Sequence, residues 1–464
     1  MSEKTTLTPI TIAAYGAPGL ILATLALTFY VFLPKYYADV VGINLTVLGI
    51  VVLASRVWDA LIDPAIGALS DRTRSPWGRR RPWIAAGSVP LAATFVLLIV
   101  LPNIADPLLE GLYLGALTFV FFVAWTMVTV PYEALGAEMS FDYDERTRLL
   151  GVREGSVLAG TLLAAAIPLV VGVGSDLTSN LAAERQRYYL IGGIYAVLVA
   201  LLVGGCLLVV RERELAESQR PSGFARSIVT VFHNRPFRIL LSAYTVTAVG
   251  FSVAATMILF YVEHVLGSRS GPLFLAIYLG IGTALVPAWI HLARRLEKRR
   301  AWLLALTVNT IAFFPAFFLD RGDAAPFGVI VALSALGVGG VMAIPPSMHA
   351  DVIDYDEWQT GIRREGEYIG FWSIVKKLAA ALSAGLAFPI LDLSGYTPGV
   401  AQQSPVAVWT LRFLYVGAPT VCNLAAILIA WRYPISRSFH EGIRREIDGR
   451  DAAPALRGAP RPVS

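Results

Sequence analysis

Twelve apolar runs of bilayer-spanning length govern what this chain can fold into. They fall at about 11–33, 44–68, 83–103, 110–137, 152–174, 188–210, 239–265, 272–293, 301–319, 326–349, 367–392 and 407–432. Each is long enough to cross roughly 30 Å of hydrocarbon as a helix. Composition agrees. The 464 residues are 56% hydrophobic and 15% charged, with a mean hydropathy of +0.63, whereas a soluble domain carries about 25% charge. A deficit spread over the whole length excludes a soluble domain with one anchor. The expected class is an all-α membrane protein of twelve helices.

The loops set the orientation. Arg72, Arg74, Arg79, Arg80 and Arg81 follow span 2, Arg211, Arg213, Arg220 and Arg226 follow span 6, and Arg294, Arg295, Lys298, Arg299 and Arg300 follow span 8. Alternate loops carry scattered bases such as Lys35, Arg269 and Arg321. Basic loops mark the cytoplasmic side, so both termini are expected there, in a multi-pass cell-membrane protein. The net charge of +5 is absorbed by this rule and implies no nucleic-acid partner. No removable signal peptide is read at the start. Cys206 and Cys422 read as core, and His264 and His291, near helix ends, as interfacial.

An internal repeat divides the chain. Asp142-Tyr143-Asp144-Glu145 followed by Arg153-Glu154-Gly155 returns as Asp354-Tyr355-Asp356-Glu357 followed by Arg364-Glu365-Gly366, at offsets of 212 and 211 residues. Two six-helix halves, 1–210 and 238–435, are therefore expected around a central cavity, joined by a linker at 211–237. The charged, Pro- and Ala-rich tail at 436–464 is expected to be disordered. Two parallel halves of this kind are the plan of major-facilitator transporters.

Chemistry concentrates in span 2, which reads Arg56-Val57-Trp58-Asp59-Ala60-Leu61-Ile62-Asp63-Pro64. Ionisable groups at membrane depth are costly and usually mark an ion or substrate path. Asp59 and Asp63 are i,i+4 and share a helix face. Paired carboxylates in a dry site repel, and a bound cation or shared proton relieves the repulsion. The bland alternative is a structural salt bridge to Arg56. Span 4 adds Trp125, Thr126, Thr129 and Glu133, the threonines as candidate hydroxyl ligands that could equally bond their own backbone. Span 11 carries Lys376 and Lys377, of which at most one is expected to face the cavity.

Acids and arginines at the helix ends read as gates: Asp71, Arg72 and Arg79 after span 2, with Asp142 and Glu145 after span 4. Asp351, Asp354 and Arg363 are their counterparts after span 10. They are expected to pair across the halves and latch the outward-open state. No phosphate loop, spaced Cys/His set or nucleophile elbow is present, so no enzyme and no cofactor beyond a coupling cation, Na+ or H+, is expected.

Several motifs resemble one family. Asp59-Ala60-Leu61-Ile62-Asp63-Pro64, Gly67-Ala68-Leu69-Ser70-Asp71-Arg72-Thr73-Arg74 and Trp77-Gly78-Arg79-Arg80-Arg81-Pro82-Trp83 are similar to the signature of the glycoside-pentoside-hexuronide:cation symporters, the melibiose-permease-like branch of the major facilitator superfamily. Ala350-Asp351-Val352-Ile353-Asp354-Tyr355-Asp356-Glu357, Trp372 to Lys377, and Tyr36-Tyr37-Ala38-Asp39-Val40-Val41-Gly42 resemble its other signatures. The resemblance implies that Asp59 and Asp63 are the paired cation-site acids, a metal site if the ion is sodium, that Thr126 is a hydroxyl at that site, and that Arg153 and Lys377 line the cavity. The chain also departs from the family. Thr129 stands where a third cation-site acid is expected, and Ile62 where an asparagine separates the acids. The stretch 11–34 has no acid to grip a sugar. Glu133 and Met342 stand in place of cavity aromatics.

The expected function is alternating-access symport by a single chain. A cation would bind at Asp59 and Asp63, with Thr126 and Thr129. A small polar solute, a sugar or glycoside, would be contacted by Tyr15, Trp125, Glu133, Arg153, Trp372 and Lys377. The alternative solute is an amphiphile such as a lysolipid.

Overall fold

The computed structural model describes residues 7–100, 102, 104, 106–140, 142–173, 181–212, 232–362, 364–400 and 402–457. No strand occurs among them. The first six spans are α1 (Pro9–Val41), α2 (Leu45–Arg72), α3 (Arg81–Ile99), α4 (Pro107–Met139), α5 (Tyr143–Val171) and α6 (Leu181–Val209). The second six are α7 (Arg235–His264), the bent α8 (Gly271–Ala284 with Val286–Leu296), α9 (Lys298–Phe318), α10 (Ala324–Thr360), α11 (Glu365–Leu393) and α12 (Pro405–Ala430). Every expected span is present, and the even count returns both termini to the end that carries the arginine-rich loops, called here the inner end. Most of the expected linker lies outside the described residues.

Local irregularities follow from proline. α8 bends by 45° just before Pro287, whose ring blocks an intrahelical bond. In α1 a π turn at Thr28–Phe32 precedes Pro34, and in α12 a π turn at Phe413–Gly417 precedes Pro419. Both widen the helix where a proline withholds its N–H.

Glycine lets the helices approach closely. A Cβ on Gly160 of α5 would lie 2.0 Å from the Leu20 carbonyl oxygen of α1. The gap is used by Thr24, whose hydroxyl donates to the Gly160 carbonyl at 2.9 Å. Gly339 of α10 meets Gly282 of α8 in the same way, with 2.6 Å to its carbonyl oxygen.

The two halves meet at the outer end. Gly49 of α2 faces Pro389 of α11, and Gly385 of α11 faces Leu53. Asn44 and Thr46 bond Asp392, the latter at 2.6 Å. Beside them Lys35 of α1 bonds Asp39 and reaches across to Glu263 of α7 at 2.7 Å. His264, at the end of α7, is buried here, 3.0 Å from Lys35 Nζ and 2.8 Å from the Tyr396 hydroxyl. Tyr396 donates to Asp39 at 2.9 Å. Burial pushes its phenol well above the usual range, so it remains a donor. Ligand atoms of Asp39, Glu263 and His264 lie within 4.8 Å of one another, a metal-like arrangement, but the Lys35 ammonium already bonds all three.

The tail departs from expectation. Residues Arg437–Arg457 form a helix, α13, laid along the inner part of α10. Ile443 and Ile447 are buried in this contact and Phe439 packs near Tyr355 and Trp358. Trp358 donates to Glu446 at 2.7 Å. The apolar residues recur every four positions, a stripe that total charge and proline content conceal.

Candidate functional site

At mid-membrane α2, α4 and α11 converge on one charged group. Asp59 is fully buried. Arg56, one turn earlier, donates to its Oδ2 at 2.9 Å. The guanidinium is held between rings, 4.1 Å from the centroid of Tyr30 and 4.6 Å from that of Phe122, a placement favourable for a desolvated cation. Lys377, from the opposite half, lies 2.9 Å from Asp59 Oδ2 and bonds Asp63. Two acids and two bases thus balance within one cluster, and the salt bridge to Arg56 coexists with an Asp59/Asp63 pair.

Thr126 stands between the acids, its hydroxyl 2.9 Å from Asp59 Oδ1 and 3.1 Å from Asp63 Oδ1. A hydroxyl has one proton and donates one bond. The second contact is satisfied when one carboxyl carries a proton or when a cation replaces the missing hydrogen. Five oxygens, four from the carboxylates and one from Thr126, suit a hard monovalent ion or a proton.

Thr129 does not bond these acids. Its hydroxyl donates to the Trp125 carbonyl of its own helix at 3.0 Å, the backbone bond that membrane-helix threonines favour, and this leaves it no free donor for the acids. Pro64, one residue after Asp63, lies inside α2.

The other expected residues lie toward the inner end from this cluster. Glu133 of α4 is exposed and lies in the field of Arg153, Lys376, Lys377 and Asp63. Arg153 of α5 is half-buried and pairs with Glu154. Trp372 of α11 stacks on Tyr244 at 4.0 Å and on His349 at 4.7 Å, an aromatic wall on the second half. Trp125 packs 6.0 Å from Phe121. Tyr15 differs from expectation: it is fully buried, tilted against Tyr132 at 4.9 Å, and Tyr132 donates to its carbonyl at 2.6 Å. It supports the wall from behind. Lys377 turns to Asp59 and Asp63, while its neighbour Lys376 is exposed.

The expected gating residues are engaged within their own halves. Asp71 pairs with Arg80, and Arg79 lies 2.9 Å from Glu138 and 3.6 Å from Glu212. Arg72 is exposed. Asp142 accepts from the Glu145 backbone N–H at 3.1 Å and caps α5, while Glu145 ties down the Leu7 backbone. Asp351 bonds Lys298 at 2.6 Å, and Asp354 bonds His440 at 3.0 Å and Arg444 at 3.4 Å on α13. These are the pairings of a molecule closed at its outer end, where a latch for the opposite state has no role. Arg363 lies outside the described residues. Sequence reasoning passed over Arg80, which is buried and joins Ser70, Asp71 and Glu138, and over the Lys35 cluster. The signal for the latter was Lys35 and Asp39 at i,i+4 among tyrosines at the end of span 1.

The geometry agrees with what the chain is similar to. The profile of the family described as "MFS/sugar transport protein" matches residues 14–437. A glucuronide carrier protein homolog of Escherichia coli is 27% identical, over 90% of this chain and 91% of that protein. A sodium-dependent lysophosphatidylcholine symporter of Danio rerio is 26% identical, over 92% and 85%. Among solved structures, that of the nucleoside transporter NupG (D323A mutant) superposes with a TM-score of 0.66 at 13% identity, covering 90% of this chain and 99% of that one. The last likeness concerns the fold alone.

Proposed function

Because this chain belongs to the MFS/sugar transport protein family, we propose that it is a cation-coupled symporter moving a small, sugar-like polar solute by alternating access. The observation that carries the reading is the Asp59–Thr126–Asp63 triangle with Lys377 lodged against it. The Lys377 ammonium holds the place of the coupling ion. An arriving Na+ takes the carboxylate and hydroxyl oxygens, or an arriving proton takes one carboxylate oxygen, and either displaces Lys377 toward Glu133, Arg153 and Trp372, which meet the solute. Ion and solute sites are thereby joined through one side chain. The glucuronide carrier homolog supports the sugar-like solute, and the sodium-dependent symporter supports a coupling cation.

The present form is the inward-open one if the arginine-rich end is cytoplasmic, as the bias of basic loops implies. Every group used comes from one chain, so the mechanism needs no second copy. In proteoliposomes, solute accumulation should follow an imposed Na+ or H+ gradient. Flux indifferent to both, for every solute carried, would sink the proposal.

A second reading replaces the solute with a lysolipid. It is supported by the Danio rerio relative and by the absence of acids from residues 11–34. Competition of lysophosphatidylcholine against sugar uptake separates the two.

A further inference from the structure

We propose that His264 is a proton-sensitive catch on the outer closure: the halves meet there only while its imidazole is neutral, so acid at the outer end holds that end open. The inference uses the alternating-access part of the reading above and adds a control that belongs to neither the ion nor the solute site.

The ring of His264 is enclosed by groups from both halves and is 8% exposed. Its Nε2 lies 3.0 Å from Lys35 Nζ of α1 and 2.8 Å from the Tyr396 hydroxyl, which follows α11. An ammonium offers only protons, so Nε2 has to face it with a lone pair. Tyr396 gives its single proton to Asp39 at 2.9 Å. This donor count puts the proton of the neutral ring on Nδ1, which is buried without a hydrogen-bond partner.

A second proton has no place to go. It would sit on Nε2 against the Lys35 ammonium, and like charges so close in a site shielded from water repel strongly. Lys35 has no slack to retreat, since it bonds Asp39 and Glu263 and packs 4.6 Å from the Phe260 ring centroid. Those two acids are therefore already committed to a cation. Arg321, after α9, adds positive charge nearby, its side chain 2.8 Å from where a Cβ on Gly267 would lie. Arg269 borders the small cavity lined by Lys35 and Glu263. On α6, Glu184 is paired with Arg187 at 2.9 Å. The phenols of Tyr36, Tyr37 and Tyr188 donate to backbone carbonyls.

Opening the outer end undoes this enclosure. Lys35 and Asp39 leave with the first half, and His264 meets water, where an imidazole titrates at about 6.5. The open form then binds a proton that the closed form excludes. Closure is accordingly favoured above about pH 6.5 and loses up to about tenfold per pH unit below it.

The test reads the outer gap with no solute and no gradient. Nitroxide labels go on Leu108→Cys of α4 and Val406→Cys of α12, both exposed and outside the cluster, with Cys206 and Cys422 replaced by alanine. Pulsed electron paramagnetic resonance in nanodiscs at fixed Na+ gives the ratio of short to long distances. From about pH 7.5 to about pH 5.5 that ratio should fall about tenfold. His264→Gln offers Lys35 an amide oxygen and does not titrate, so it should keep the short distance and lose the response. Lys35→Met removes the repelling ammonium and should flatten or invert it. A wild-type ratio that is flat with pH, or either variant retaining the wild-type response, overturns the proposal. A flat ratio leaves ion-driven uptake untouched, and flux that ignores ion gradients leaves the catch untouched.

Discussion

Arg56 lies between Tyr30 and Phe122 with Asp59 as its acid, and neither charge has water to fall back on. Removing one member of a buried pair strands the other and costs about 3–5 kcal/mol. Asp59→Leu, which leaves Arg56 without its bonded acid, should therefore lower the thermal midpoint sharply, and the double variant Arg56→Met/Asp59→Leu should recover much of the loss, whereas Arg56→Met alone leaves Asp59 paired with Lys377. A double-mutant cycle in detergent checks this; simple additivity would mean that the pair is not coupled. The two threonines of α4 separate just as cleanly. Thr126→Ala removes the hydroxyl between the acids and should weaken the coupling ion by about tenfold, or about 1.4 kcal/mol. Thr129→Ala loses only a backbone bond within its helix and should leave ion affinity near wild type. Titrating the ion dependence of uptake in both variants decides the matter, and equal losses would place Thr129 in the site after all.

Helices and their order were legible because membrane spans declare themselves by length and apolarity, and the acids of α2 were legible because charge in such a run is conspicuous. What escaped was geometry that depends on partners. The rotamer that turns Thr129 to the Trp125 carbonyl and the burial of Tyr15 behind Tyr132 are set by neighbouring helices. Helix α13 escaped for a different reason, since composition averages over the four-residue spacing of Phe439, Ile443 and Ile447. That stripe yields a prediction for the element. Ile443→Asp places a charge in the contact and should free α13 from α10. Limited trypsin digestion should then cut at Arg444 and Arg445 several times faster than in wild type, with the twelve spans intact. An unchanged cleavage rate would show that the contact does not hold the helix.

The halves are joined at the outer end through Lys35 to Glu263, Tyr396 to Asp39, and Thr46 to Asp392, and at mid-membrane through Lys377 to Asp59 and Asp63. A transporter that alternates must part the three outer links. With Cys206 and Cys422 replaced by alanine, the variant Thr46→Cys/Asp392→Cys should cross-link readily in the outer-closed form and lose uptake, and a reductant should restore it. Adding Lys35→Met removes the charge that binds α1 to α7 and should lower the cross-linked fraction. A disulfide that forms without arresting flux would mean that α2 and α11 do not separate during the cycle.

The pairing of Lys377 with Asp59 and Asp63 also bears on voltage. A net charge crossing the membrane field gains or loses about 2.3 kcal/mol per 100 mV. With Arg56 and Lys377 set against the two acids, the empty core carries none, so its return should be blind to membrane potential. A loaded stroke that carries the coupling cation with a neutral solute moves one positive charge, so it alone feels the potential, and depolarising the membrane slows loading without touching the return.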